Sequence, residues 1–459
     1  MEKTKKPNIF FLLIDSFRSD KFYGNEKTSI TPNLDSLIKD GVYFTQAINS
    51  SPASVSAISS VFTAKWPDRV IVSGIKNHEL SHKEPNYINR LNELGYNTTA
   101  LTPEYFTYSK LTSDFDVSLW FNGGLHDGVG QQIIDTVGKL EPPWFFFIHI
   151  LDIHGTARNF PKQFNNKKYG FNEYERRISA MDPWLGKIFD KIDQNNTLIV
   201  VTADHSTDRG IYTPKQEKMK ASFNQNNLEP FVGITKKLLS RSLTKRIRGF
   251  YVEKKVNTKK QKKAAALKNI SELDQFEKRI QNNLVNPGFY LYDDRFRIPL
   301  LFAGLGLESK IIDQQIRSVD IFPSIFDIIE ASSKMDVDGS SVVPLIKGQS
   351  FEEKPAFIQI ITNWLTTKSV SDINLIGIRH KGFKYFRAKN DPEQNVGLFD
   401  LTKDPHEINN LAELYPEKIT QMEKIISEIR KDIADKLQNK SEDQNNSKKS
   451  AFNEEKLKK

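Results

Sequence analysis

The run Asn196-Thr197-Leu198-Ile199-Val200-Val201, which closes on Thr202-Ala203-Asp204-His205, limits the fold of this chain more than any other stretch. A continuous β-branched and leucine run with no polar alternation describes a strand buried on both faces, and such strands sit in the middle of parallel sheets covered by helices. Open sheets of that kind collect their ligands in the crevice beyond the carboxyl ends of the strands. Asp204 and His205 fall at that end. A carboxylate and an imidazole delivered side by side by a stiff strand offer two ligands to a divalent cation. Taken alone, the pair also reads as a capping Asp followed by a surface His.

A second stretch repeats the pattern. Ile9 to Ile14 is an unbroken apolar run that ends on Asp15. If the two strands run parallel, Asp15 reaches the same sheet edge as Asp204. Downstream, Thr31 can cap and Pro32 can open a helix reaching about Asp40, with Gly41 ending it. From Val55 to Lys65 small and apolar residues recur at helical spacing, so Ser54 falls at or just before a first turn. A hydroxyl there meets free backbone N–H groups and the positive end of the helix dipole. A plain N-cap serine would occupy the same position.

Composition narrows the chemistry. With no cysteine in 459 residues, disulfides, thiolate metal sites and cysteine nucleophiles are excluded. The apolar run after Met1-Glu2-Lys3-Thr4-Lys5-Lys6 stops after six residues at Asp15 with no small-residue cleavage site behind it, so a buried first strand is expected instead of a signal peptide. No other apolar run approaches membrane-spanning length, and a cytoplasmic protein is expected. Much of the net charge of +9 lies between Lys236 and Lys268. Such a run attracts an anionic polymer or a membrane surface, although a solvated helix face or mobile insertion is the plainer reading; nucleic acid is not expected as a partner.

The order of these pieces resembles the sulfatase family of the alkaline phosphatase-like superfamily. The strand ending in Asp15, then Thr31-Pro32-Asn33-Leu34-Asp35-Ser36-Leu37, then Gly41 to Ala47, then Ser54 opening a helix that ends Thr63-Ala64-Lys65-Trp66-Pro67, is similar to that family's N-terminal half. Further landmarks are Trp144 to His154 with its Asp152-Ile153-His154 pair, Met181 to Gly186, Arg297 to Phe302, Val319 to Ser324, and Gly397-Leu398-Phe399-Asp400 through Asn410-Leu411-Ala412. The resemblance covers about residues 7–212 and 287–430.

The departures bear on function. The nucleophile position of the family falls on Ser54, but its C/S-x-P/A-S-R motif is Ser54-Val55-Ser56-Ala57-Ile58, lacking the Pro and Arg that mark the residue for oxidation to formylglycine. An unmodified serine is expected. Ser16 stands where the family has a second strand-end acid, and Thr102-Pro103-Glu104-Tyr105 replaces its K-x-H. What remains, Asp15, Ser54, Asp204 and His205, resembles the single-metal site of phosphotransferases and phosphodiesterases in the superfamily, implying one divalent ion (Ca, Mg or Mn).

Sulfuryl and phosphoryl transfer both need an oxyanion nucleophile, a cation against the equatorial oxygens and an acid for the leaving group. Ser54 suits the first role once a cation favours its alkoxide, and His154, from a neighbouring strand end, suits the last. His149, on the same apolar strand, reads as a satisfied core histidine; Arg18 and Lys65 are the nearest cations, with a surface role as open as a site role; His380 and Lys384 are candidates to reach the cleft from the C-terminal part. The expected architecture is an α/β domain over 1–350 with an alkaline phosphatase-like, mainly parallel sheet and a basic insertion at 213–286, a small α+β subdomain over 351–435, and a disordered polar tail over 436–459. Three functions stay open: a metal-dependent hydrolase of a sulfate or phosphate ester on a small molecule or glycan, a transferase of phosphorylated head groups onto a glycan, and a degenerate, non-catalytic anion-binding protein.

Overall fold

A computed structural model describes residues 6–73, 78–80, 84–154, 161–207, 291–360 and 374–457. The stretch 213–286, expected to be a basic insertion and carrying the Lys236–Lys268 run, lies outside the described residues. The strands in chain order are β1 (Asn8–Ile14), β2 (Val42–Ile48), β3 (Ile71–Ser73), β4 (His78–Leu80), β5 (Asn97–Pro103), β6 (Val117–Phe121), β7 (Trp144–Ile150), β8 (Thr197–Thr202), β9 (Arg297–Ala303), β10 (Lys310–Ile312), β11 (Ile316–Arg317), β12 (Ala356–Gln359), β13 (Leu375–His380), β14 (Phe383–Ala388) and β15 (Gly397–Asp400).

Nine of them form one sheet in the order β10-β2-β9-β8-β1-β7-β5-β6, with β11 also beside β2. Only β9 runs antiparallel to its neighbours, so the mainly parallel sheet expected from the unbroken apolar runs is present. β1, β7 and β8 are buried along their whole length because helices cover both faces. Leu34, Leu37 and Ile38 come from the helix Pro32–Lys39, Ile58, Val61 and Phe62 from Ser54–Thr63, and Ile178, Met181 and Leu185 from Glu173–Phe189. Phe11 of β1 stacks on Phe322 with ring centroids 5.8 Å apart. Truncating such a ring to Ala costs about 3–5 kcal/mol, through lost transfer energy and the cavity left behind.

Register fixes the sheet edge. Ile14 lies opposite Ile150 and Leu13 opposite Thr202, and Asp15 N–H donates to the Ile150 carbonyl at 3.0 Å. Asp15 and Asp204 therefore leave adjacent parallel strands at one end. Pro32 does open its helix, but the Thr31 side chain does not cap it. The Asp182 carboxylate accepts instead from Asn33 N–H at 3.1 Å and Leu34 N–H at 2.9 Å. Gly41 follows the helix because a Cβ there would sit 2.7 Å from the Phe302 carbonyl oxygen.

The strands β12 to β15 form a separate antiparallel sheet. Met422, Ile426 and Ile433 of the helix Pro416–Leu457 pack on its Phe357, Ile376, Ile378, Tyr385 and Leu398, together with Trp66 and Val319 from the larger part. This helix continues to Leu457, through the stretch expected from its polarity to be disordered. Lys, Glu and Gln are good helix formers, so a polar stretch that cannot build a core can still be helical. Lys384 does not approach the cleft: its ammonium is fully buried, 2.7 Å from Asp293 and 3.2 Å from Glu407. His380 lies against Glu353 at 3.5 Å. Among the described residues no helix is long and apolar enough to cross a membrane.

Candidate metal centre and nucleophile

At the carboxyl edge of β1 and β8, ligand atoms of Asp15, Asp204 and His205 all lie within 4.8 Å of one another. Both carboxylates are 1% exposed. Two buried carboxylates this close repel each other unless a cation or hydrogen-bond donors stand between them. Asp204 Oδ1 accepts from the backbone N–H groups of His205 at 2.8 Å and Ser16 at 3.1 Å, whereas its buried Oδ2 has no hydrogen-bond partner. That orphaned anionic oxygen, 3.4 Å from His205 Nε2, suits a cation. His205 Nδ1 lies 2.9 Å from the Ser206 carbonyl oxygen. A carbonyl only accepts, so Nδ1 carries the hydrogen and the Nε2 lone pair is left for a ligand role.

Ser54 is the first residue of its helix, with Ala53 in the cap position and no side-chain capping bond. Its role there is not that of an N-cap. Its Oγ lies 3.5 Å from His205 Nε2, which brings the helix opening, β1 and β8 to one point. His154 follows β7, and its Nε2 is 3.9 Å from Asp15 Oδ1, on a side chain 34% exposed. All five residues singled out in the sequence thus converge.

Two contacts were not visible in the sequence. His149, taken for a satisfied core histidine, is fully buried, and its Nε2 donates to Asp15 Oδ2 at 3.1 Å. Burial alone would raise the Asp15 carboxyl, but the His149 hydrogen bond and the neighbouring His205, His149 and His154 hold it well below the usual carboxylate range. Ser16 adopts a left-handed backbone, φ 62°, which costs a non-glycine residue roughly 1–2 kcal/mol. Its Oγ donates to Asp15 Oδ1 at 2.7 Å, and its carbonyl accepts from the Tyr174 hydroxyl at 2.8 Å.

Among the described residues, the positions expected to have lost the family's anion contacts hold other kinds of side chain. Ile58, at the family's Arg position, is 1% exposed. Arg18 and Lys65 are not surface residues; both are buried and paired, Arg18 with Asp20 at 2.7 Å and the Thr207 carbonyl at 2.7 Å, Lys65 with Glu84 at 2.8 Å. Tyr105, just beyond β5, is 51% exposed. Its ring lies 4.5 Å from that of Phe106, which in turn lies 4.7 Å from His149. Although half of the residue is exposed, its phenol is pushed up by partial desolvation and by the charges of Asp15 and Asp204, so it remains a neutral donor at the rim of the site.

A mainly parallel sheet with a strand-end aspartate, an Asp–His pair at the end of the adjacent parallel strand and a helix-opening hydroxyl places the protein in the alkaline phosphatase-like class. The sulfatase family model matches residues 7–331, and that of the N-sulphoglucosamine sulphohydrolase C-terminal region matches residues 288–440. The chain belongs to the sulfatase family. Arylsulfatase K of Xenopus laevis is 26% identical over 143 residues, 30% of this chain and 27% of that protein. An ulvan-active sulfatase of Formosa agariphila is 23% identical over 481 aligned residues, covering 93% of this chain and 80% of that protein. The chain thus spans about a quarter of the first of these relatives and most of the second. Among solved structures, the phosphonate monoester hydrolase of Agrobacterium radiobacter superposes with a TM-score of 0.63 at 16% identity, over 93% of this chain and 96% of that one. Ps i-CgsB in complex with a neocarrahexaose superposes with a TM-score of 0.62, also at 16% identity, over 94% and 93%. These likenesses show the shared fold.

Proposed function

We propose that this protein hydrolyses a sulfate or phosphate ester on a glycan or small molecule, with unmodified Ser54 as nucleophile beside one divalent ion held by Asp15, Asp204 and His205. The observation that carries this reading is the 3.5 Å approach of Ser54 Oγ to His205 Nε2, beside the orphaned Asp204 oxygen. The residues suit a divalent cation on the chemistry of their donors: two buried carboxylates, and an imidazole whose other nitrogen is tied to a carbonyl. Such an ion, when bound, supplies positive charge against the equatorial oxygens and favours an alkoxide.

The protein's own groups do the rest. Ser54 releases its Oγ proton to solvent and forms a bond to sulfur or phosphorus as the bond to the leaving oxygen breaks, and His154 gives that oxygen a proton that it regains from the water of the second step. His149 keeps Asp15 oriented. Water then releases the seryl ester, regenerating the serine and freeing inorganic sulfate or phosphate. A glycan substrate is favoured by the ulvan-active sulfatase relatives and by the oligosaccharide-bound structural neighbour. The Lys236–Lys268 run, rich in ammonium and guanidinium groups, suits a polyanionic glycan.

The test is hydrolysis of nitrophenyl sulfate, nitrophenyl phosphate and bis(nitrophenyl) phosphate by full-length protein loaded with divalent metal. Ser54→Ala is expected to reduce turnover by a factor on the order of 10³ or more, as removal of a covalent nucleophile does. Wild-type rates from the variant would sink the reading, and so would a metal-loaded wild type inert toward every ester. Transfer of the ester group to an added glycan hydroxyl in preference to water would instead identify the transferase.

A further inference from the structure

Ser16 occupies the position where the family's strand-end pair has its second acid, and its surroundings give it a different task. Its left-handed backbone, φ 62°, turns one residue so that its N–H and its hydroxyl serve two carboxylates. The N–H crosses to Asp204 Oδ1 at 3.1 Å, and the hydroxyl reaches back to Asp15 Oδ1 at 2.7 Å. The conformation is held from the other side by Tyr174, whose hydroxyl donates to the Ser16 carbonyl at 2.8 Å and accepts from Arg18 N–H at 3.0 Å. Ser16 is 4% exposed, so these bonds have no competition from bulk water.

We propose that Ser16 is a positioning residue that latches Asp15 and Asp204 together, and that by putting a neutral donor where relatives carry an acid it makes the site select Mn²⁺ over Ca²⁺. The inference rests on the metal-binding reading given above. With Ser16 the three side chains of the cluster bring two negative charges and one nitrogen, which balances a divalent ion. Ca²⁺ seeks six to eight oxygen ligands and gains affinity with each added carboxylate, whereas the smaller Mn²⁺, also at home among oxygens, is a transition ion that accepts an imidazole nitrogen in place of one of them more readily than Ca²⁺ does. An acid at position 16 would restore the oxygen-rich, more negative site. The serine leaves the geometry of the two remaining carboxylates to a pair of hydrogen bonds, and such outer contacts are worth roughly 10–100-fold in metal affinity.

The experiment is calorimetric titration of chelator-stripped, full-length protein with MnCl₂ and, separately, CaCl₂, for the wild type and for Ser16→Ala, Ser16→Asn and Ser16→Asp. Ser16→Ala is expected to weaken Mn²⁺ binding about 10–100-fold. Ser16→Asn, which tolerates the left-handed backbone and keeps a side-chain donor, is expected to retain Mn²⁺ affinity within about threefold. Ser16→Asp is expected to shift the Mn²⁺ to Ca²⁺ affinity ratio toward Ca²⁺ by about tenfold or more. Because a residue needed only for folding would not move that ratio, the comparison is informative even if Ser16→Ala does not fold. Mn²⁺ affinity within about twofold of wild type in folded Ser16→Ala would overturn the latch, and an unchanged ratio in Ser16→Asp would overturn the selectivity. Wild-type protein that binds neither ion would end the metal reading itself, whereas Mn²⁺ binding by wild type with indifferent variants would end only the role of Ser16.

Discussion

Replacing Asp204 with Asn should make the metal-free protein more stable and its metal-loaded form less so. The substitution keeps the shape of the side chain, and Oδ1 can still accept from the His205 and Ser16 N–H groups at 2.8 and 3.1 Å. What changes is the orphaned Oδ2, which becomes an amide NH₂. In the stripped wild type the carboxylates of Asp15 and Asp204 face each other with ligand atoms within 4.8 Å. At an effective dielectric of about 20, unit charges at that separation repel by about 3.5 kcal/mol, which the variant no longer bears. In the presence of metal the order reverses: the wild type gains about 2.7 kcal/mol when free ion stands at about 100 times its dissociation constant, and the variant, having lost an anionic ligand, gains little. Urea denaturation of both proteins, with chelator and with MnCl₂, reads the four values. Lower stability of the stripped variant than of stripped wild type, or an undiminished gain on adding metal, would refute the reasoning.

Three further outcomes are expected. Tyr105→Phe keeps the ring beside Phe106 but removes the hydroxyl, and a neutral donor to a charged ester group is worth about 1.5–3 kcal/mol, so kcat/KM should fall about 10–100-fold while Mn²⁺ affinity stays fixed; equal kcat/KM would dismiss the contact. Lys384→Met leaves Asp293 and Glu407 buried without their shared cation and should lower the stability measured by urea by about 3–5 kcal/mol; a loss under about 1 kcal/mol would contradict that. Burial, opposed by the Leu125 N–H and reinforced by Asp127, pushes the Asp152 carboxyl up from its ordinary 3.8 to about 7. The folded state therefore holds a proton that the unfolded chain has lost between those values, and stability falls as pH rises through that window. Asp152→Asn should remove that slope, so parallel pH profiles of the urea midpoint in variant and wild type would count against it.

The buried strands were readable because a strand covered on both faces has no polar alternation to confuse it, as in β1 and β8. Their carboxyl-end residues followed from parallel pairing, which is why Asp15, Asp204 and His205 could be brought together from sequence. Ser54 was legible as a helix opening at the family's nucleophile position, but setting it apart from a plain N-cap needed the structure, which puts Ala53 in the cap position and Ser54 Oγ 3.5 Å from His205 Nε2. His149 was not legible, because an imidazole on an apolar strand looks the same whether its partner is a carbonyl or a metal-site carboxylate. Ser16 was read as the loss of a ligand, since a left-handed backbone at a serine leaves no mark in the sequence. Lys384 shows the limit from the other side: it was a candidate to reach the cleft, whereas Asp293 and Glu407, distant from it in sequence, engage it.

The state of residue 54 during turnover is the most direct point of test. Full-length protein loaded with metal should be mixed with an ester substrate, quenched in acid within a few turnovers, and the peptide carrying Ser54 weighed by mass spectrometry. An unmodified serine before mixing, and a fraction of the same serine bearing a sulfuryl or phosphoryl group after it, is the predicted result. Formylglycine at that position, or continued turnover with the ester group never found on Ser54, would contradict it.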